Sequence, residues 1–202
     1  MSELTDLAAG VAVCQKCILA KSRAKAVPGE GPENASIMFI GEGPGFHENN
    51  QGRPFVGAAG QFLEELLNSI GMKREQVYIT NVVKCRPPGN RDPLPAEIEA
   101  CRQYLDWQIA LIKPKVVVTL GRFSMARAFP NAKISAIHGQ PRKVDGITYV
   151  PMFHPAAALH QPSLRQTVEN DFKKLPGILA DLEKVESAAA KPDAAPQQLS
   201  LF

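Results

Sequence analysis

The chain has 202 residues, 45% of them hydrophobic, enough for one proper core and, by the usual size of domains, a single domain with appendages. A formal net charge of +3 excludes a globally basic nucleic-acid binder, so any surface for a polyanion must come from local clusters of Lys and Arg. No apolar run approaches the roughly 18 to 20 residues of a membrane span, and the opening MSELTDLAAG lacks the basic flank of a secretory signal, so a cytoplasmic protein with no membrane partner is expected.

Residues 4–13 read as an opening helix. The apolar run Ser36-Ile37-Met38-Phe39-Ile40 is a short strand that stops at a glycine-rich turn, Gly41-Glu42-Gly43-Pro44-Gly45, and a loop continues to Gly57. Phe62, Leu66, Leu67 and Ile70 then recur at helical spacing, predicting a helix over 57–70 with Gly71 as its stop. Val77-Tyr78-Ile79-Thr80 is a second strand and 95–112 a second long helix. Val116-Val117-Val118-Thr119-Leu120 is a third strand, with the near-continuous apolar character of a doubly covered parallel sheet. A short helix over 121–129 follows, then a strand over 148–153 that ends at His154-Pro155, and helical sequence over 162–185. The alternation predicts one α/β domain over 1–185, a three-layer α/β/α sandwich around a central four-stranded, mainly parallel sheet. Ligands of such sheets bind at the carboxyl ends of the strands, where Gly41 to Gly45, Asn81, Gly121 and His154 all fall. Residues 186–197, rich in Ala, Pro and Lys, predict a disordered linker.

The chain holds four cysteines. In a reducing compartment they point to metal ligation or redox chemistry rather than disulfides. Cys14-Gln15-Lys16-Cys17 has the two-residue gap that lets both thiolates reach one centre, while Cys85 follows the second strand and Cys101 lies on the next helix. Four thiolates suit zinc or an iron-sulfur cluster, and spacing does not separate the two. The turn at Gly41 to Gly45 lacks the Lys and Ser/Thr of a P-loop and the glycine spacing of a dinucleotide fingerprint, which disfavours a nucleotide cofactor.

Three segments carry a resemblance: GEGPGFHENNQGRPFVG (41–57), ITNVVKCRPPGNR (79–91) and MFHPAA (152–157), in this order and with the cysteines so placed. Together they resemble the family 4 uracil-DNA glycosylases. The resemblance implies an enzyme that flips uracil out of DNA and hydrolyses its bond to deoxyribose in base excision repair. A base inside a duplex is out of reach, so the extruded base needs a stacking face and a hydrogen-bond reader. Phe55 matches the stacking aromatic. Asn81 matches the reader, whose amide offers an acceptor to N3–H and a donor to O4, the reverse of what cytosine requires. His154 matches the donor to O2 of the departing base, with backbone of Gly41, Glu42 and Gly43 beside it. Glu42 is the carboxylate assigned to the cationic sugar or the attacking water. Glu48 is the second candidate, for water activation or for excluding the methyl group of thymine.

Two positions depart from the family pattern. Asn49 stands where an acid is common after Glu48, which moves the weight to Glu42. After the His-Pro motif, Ala158-Leu159-His160-Gln161 stands where the family often has an arginine entering the DNA, so Leu159 is the expected wedge into the vacated stack and His160 the approximate substitute for that arginine. Arg53, Arg86 and Arg91 are the candidate phosphate contacts. The resemblance also implies a 4Fe-4S cluster held by Cys14, Cys17, Cys85 and Cys101, structural rather than catalytic.

The ending Gln198-Leu199-Ser200-Leu201-Phe202 resembles the pentapeptide with which many bacterial proteins dock to the sliding clamp, with Gln198, Leu199, Leu201 and Phe202 as contacts. Uracil-containing DNA and a sliding clamp are therefore the expected partners of a monomer working on the nucleoid. Two other readings compete: a relative that traps the sugar covalently through a loop histidine, although residues 86–95 contain none, and a noncatalytic iron-sulfur DNA-binding module.

Overall fold

The computed structural model describes residues 2–189. The expected clamp-binding peptide (Gln198, Leu199, Leu201 and Phe202) and the expected linker from residue 190 onward lie outside the described residues. The elements are α1 (Glu3–Val13), β1 (Ile37–Gly41), α2 (Phe46–Gln51), α3 (Ala58–Ser69), β2 (Tyr78–Asn81), α4 (Pro95–Ile112), β3 (Val116–Leu120), α5 (Arg122–Ala126), α6 (Ile134–Ile137), β4 (Arg142–Val144), β5 (Ile147–Met152), α7 (Pro155–His160), α8 (Arg165–Phe172) and α9 (Leu175–Ala189).

Among the described residues the sheet has five strands in the order β2-β1-β3-β5-β4. β1 pairs in parallel with β2 and β3, and β3 with β5, while β4 pairs antiparallel with β5. The expected four-stranded sheet therefore gains an antiparallel edge strand. β4 is only Arg142-Lys143-Val144 and shows no apolar alternation, so its place comes from the hairpin at Asp145-Gly146, where both residues take left-handed φ angles of 49° and 85°.

β1 and β3 are buried along their whole length, as central parallel strands are. Alternation sends Met38 and Ile40 to one face, against Leu7 and Val11 of α1 and Leu105 and Ile109 of α4. Ile37 and Phe39 go to the other, against Phe62, Leu66 and Leu67 of α3 and Val168 and Phe172 of α8. Phe39 and Phe172 stack there with ring centroids 5.8 Å apart. This is the expected α/β/α sandwich. The expected helical stretch over 162–185 is broken into a 3-10 turn, α8 and α9, and α9 runs to Ala189, past the expected boundary at residue 185. Ser187-Ala188-Ala189 offers nothing that stops a helix. No helix among the described residues is long and apolar enough to cross a membrane.

The free edge of β2 is covered by residues 27–30. Val27 N–H donates to Lys84 O at 2.7 Å, and Glu30 and Ile79 exchange both backbone bonds at 2.8 and 3.0 Å. That places the Glu30 carboxyl beside the loop that follows α2.

Candidate active site

β1 turns towards β2 on one side and β3 on the other, so a crevice opens at the strands' carboxyl ends. A cleft of about 610 Å³ lies there, lined by Glu42, Gly43, Glu48, Phe55, Asn81 and His154 among others. Gly41 and Asn81, the last residues of β1 and β2, are partners in the sheet register. A Cβ on Gly41 would sit 2.4 Å from Asn81 Oδ1 and 2.7 Å from Phe55 Cζ, so only glycine lets the amide and the ring meet over the strand end. Asn81 is 2% exposed, and its Oδ1 has no hydrogen-bond partner among the described residues. A buried acceptor left unpaired costs on the order of 1 to 3 kcal/mol, which a ligand with an N–H donor recovers.

Phe55 holds a left-handed φ of 50°, a strained state for an aromatic residue. Arg74 holds it there: its guanidinium donates to the carbonyls of Phe55 (2.9 Å) and Pro54. Arg74 Nε also donates to Glu30 at 2.8 Å, and Arg53 meets the same carboxylate in a two-pronged pair at 2.7 and 2.9 Å. Burial alone would raise the Glu30 pKa, but the two guanidiniums outweigh it and hold the carboxyl below its ordinary range. The Phe55 carbonyl lies so close to α3 that a Cβ on Gly60 would come within 2.0 Å of it.

His154 caps α7 and stacks against Phe55, with centroids 5.5 Å apart and planes 24° apart. Its Nδ1 accepts the Ala156 N–H at 3.1 Å. Burial lowers its pKa to about 4, against a small opposing effect of the Glu48 carboxylate. The ring is therefore neutral at physiological pH, and with Nδ1 an acceptor its proton sits on Nε2. Glu48 is buried, and its Oε1 accepts the N–H groups of Val56 and Gly57, both at 2.9 Å, tying α2 to the Phe55 loop. Glu42 is half-buried. Burial and the neighbouring Asp92 carboxylate raise its pKa, and Arg122 opposes them.

Residues 28–182 match the family model described as Uracil DNA glycosylase superfamily. Among curated relatives, a Type-4 uracil-DNA glycosylase of Sulfurisphaera tokodaii is 49% identical over 87% of this chain and 84% of its own length. Proteins of the same name from Archaeoglobus fulgidus and Saccharolobus solfataricus are 46% and 47% identical, over 87% and 89% of this chain and 92% and 88% of theirs. The chain belongs to the type-4 uracil-DNA glycosylases. The fold and the order of motifs along the chain agree with that membership.

In this glycosylase the four cysteines line one small cavity, together with Arg23, Lys84 and Tyr104. Three of the sulfurs accept N–H groups: Cys14 from Lys16 N at 3.5 Å, Cys85 from Arg23 Nη1 at 3.2 Å and Cys101 from Lys84 N at 3.3 Å. Burial pushes the Cys85 thiol up and the Cys101 thiol to about 11, so thiolates here need a cationic partner. Among the described residues no group of three or more His, Cys, Asp or Glu is placed to hold a single metal ion.

The expected DNA contacts divide. Arg53 is taken up by Glu30, and Arg91, which lines the cleft, is paired in two-pronged fashion with Glu97 at 2.7 and 2.9 Å. Arg86 donates to Asn90 Oδ1 at 2.7 Å and lies over the ring of Phe46, 5.3 Å from its centroid. Leu159 and His160 are exposed on α7, the helix that His154 caps. Asn49 is buried, and its Oδ1 accepts Ala24 N–H at 3.0 Å. Sequence reasoning passed over Glu30, Arg74, Phe46, Asn90 and the buried Lys84. The Lys84 ammonium donates to Thr80 Oγ1 (2.6 Å), Asn81 O (2.8 Å) and Gln108 Oε1 (2.6 Å), bracing the strand end that carries Asn81. A lysine inside the apolar run Val82-Val83-Lys84-Cys85 was the available signal.

Proposed function

We propose that this chain excises uracil from DNA by hydrolysing its N-glycosidic bond, and that the cleft at the ends of β1, β2 and β5 receives the extruded base. The observation that carries this reading is the buried, unpaired Asn81 Oδ1 beside the Phe55 ring and a neutral imidazole. Uracil presents N3–H as a donor and O4 as an acceptor, which the Asn81 amide matches, whereas cytosine offers an acceptor at N3 and a donor at C4.

When the C1′–N1 bond breaks, its electron pair leaves with the base, and negative charge gathers on O2. The His154 Nε2–H donates there, and the backbone around Glu42 and Gly43 provides a second donor. A preplaced donor of this kind contributes on the order of 3 kcal/mol, or 10² to 10³ in kcat. A neutral imidazole keeps its proton, so the base departs as an anion. Glu42, on the cleft wall, balances the cationic sugar and takes the proton of the water that attacks C1′, leaving uracil and an abasic site. Glu48 holds α2 against the Phe55 loop through Oε1. Its Oε2, which lies 2.8 Å from where a Cβ on Gly45 would sit, borders the cleft and limits the room for a methyl group at C5.

The same reading gives Cys14, Cys17, Cys85 and Cys101 a 4Fe-4S cluster; the shared cavity and the N–H donors on three of the sulfurs support it. The cluster would tie α1, the loop after β2 and α4 together, without a role in hydrolysis. Iron and sulfide analysis of protein isolated without oxygen checks this, and four irons per chain is the expected result. Leu159 and His160 enter the DNA, and Gln198, Leu199, Leu201 and Phe202 dock to a sliding clamp. Deleting residues 198–202 should abolish clamp pull-down and spare cleavage of short oligonucleotides.

An oligonucleotide with one uracil, followed by hot alkali, tests the main claim. Strand breaks at the uracil in excess over enzyme are expected. A protein band shifted onto the DNA would instead mean a trapped covalent adduct, and neither product would mean a binding module.

A further inference from the structure

We propose that Phe46 and Arg86 form a second nucleobase site, a stacking platform at the rim of the cleft for a nucleotide flanking the extruded uracil. This rests on the reading of the cleft as a uracil pocket and adds the recognition of a neighbouring unpaired base.

Phe46 opens α2 and lines the cleft, yet is 54% exposed. Of the large hydrophobic side chains exposed among the described residues, it alone borders the cleft. A core role does not explain an aromatic ring left half in water at the mouth of the cleft. Its surroundings suit one class of ligand. The Arg86 guanidinium lies over the ring and is held in place by its bond to Asn90, and His47 meets the ring edge-on at 5.5 Å. An aromatic ring with an arginine over one face and half of its surface in water is the chemistry that binds single-stranded nucleic acid, the other face stacking a base and the cation meeting the backbone.

The platform is also fixed relative to the pocket. Two residues further along α2, Glu48 holds the Val56 and Gly57 amides next to Phe55, and Asn49 holds the Ala24 amide. Phe46 and the uracil-stacking ring therefore belong to one rigid loop system. Flipping one nucleotide breaks its stacking with both neighbours, and Phe46 replaces the face that one neighbour loses. Because every base has such a face, the contact is tolerant of sequence and matters most on unpaired strands.

The test uses the full-length protein, its Phe46→Ala and Phe46→Tyr variants, and single-stranded oligonucleotides with one uracil. In two of them the nucleotide on the 5′ or on the 3′ side of the uracil is replaced by a tetrahydrofuran abasic analogue. Binding is read by fluorescence anisotropy and excision by the alkali assay. On the intact strand, Phe46→Ala should weaken binding about tenfold, in the range of one lost base stack, with the loss in excision carried by KM. Phe46→Tyr should restore it. On one of the two abasic strands the wild type should bind as weakly as Phe46→Ala, and the gap between them should close. Equal binding of wild type and Phe46→Ala to the intact strand would overturn the platform. So would a tenfold gap that persists on both abasic strands, since the ring would then act on the uracil or on the fold. Failure of the wild type to release uracil would count against the pocket reading, while the binding comparison would still decide the platform.

Discussion

Acidification probes the charge state of His154. Burial sets its pKa at about 4, where an ordinary histidine lies at about 6.5. Between those values the unfolded chain takes up a proton that the folded chain refuses. The stability contributed by the neutral ring is therefore complete above about pH 6.5 and is lost as the pH falls towards 4. The full difference corresponds to about 3 kcal/mol, at roughly 1.4 kcal/mol for each tenfold change in proton affinity. Urea unfolding at pH 7.5 and 4.5, on the wild type and on His154→Gln, isolates this contribution, because carboxylates elsewhere titrate alike in both. The stability of the wild type relative to the variant should fall by about 2 to 3 kcal/mol over that interval. Single-turnover excision should meanwhile show no ionisation of His154 between pH 5.5 and 8. A relative stability that does not change with pH, or an imidazole that titrates near 6.5 by NMR, would refute the neutral donor.

Gly41→Ala should retain the fold, since Gly41 is outside the left-handed region, but its methyl group would displace Asn81 and Phe55; kcat/KM should fall about 100-fold, the scale of an ångström-sized misplacement, and an unchanged value would contradict the packing of the two over Gly41. Asn81→Asp should lose uracil excision or admit cytosine, as read on paired oligonucleotides carrying one base or the other; uracil-only cleavage at the wild-type rate would remove Asn81 as reader. Arg74→Met should free the Phe55 loop and lower stability by about 1 to 3 kcal/mol in urea, with a raised KM. Normal KM in that variant would mean that Phe55 needs no clamp.

Much of the site is legible in the sequence because its residues end strands. Ile40, Thr80 and Phe153 close apolar runs, and the residue after such a run in a parallel sheet faces the ligand crevice, so Gly41, Asn81 and His154 can be placed from the sequence alone. The parts that stay hidden depend on pairing across long stretches of chain. Glu30 is 44 residues from Arg74 and meets it only because the segment before β1 covers the edge of β2. Arg53 and Arg91 read as candidate phosphate contacts, but a sequence shows charge and not its partner, so their ion pairs with Glu30 and Glu97 stay hidden. α2 reads as loop and α7 stays unassigned because each has only six residues, too short for periodicity to register. Asp145-Gly146 signals the hairpin into β4, but a three-residue exposed strand carries no pattern of its own.

A crystal soaked with free uracil tests the central claim most directly. The ring should lie against Phe55, with N3 about 2.7 to 3.2 Å from Asn81 Oδ1 and O2 at a similar distance from His154 Nε2. Uracil bound elsewhere, or turned so that O2 faces Asn81, would contradict it.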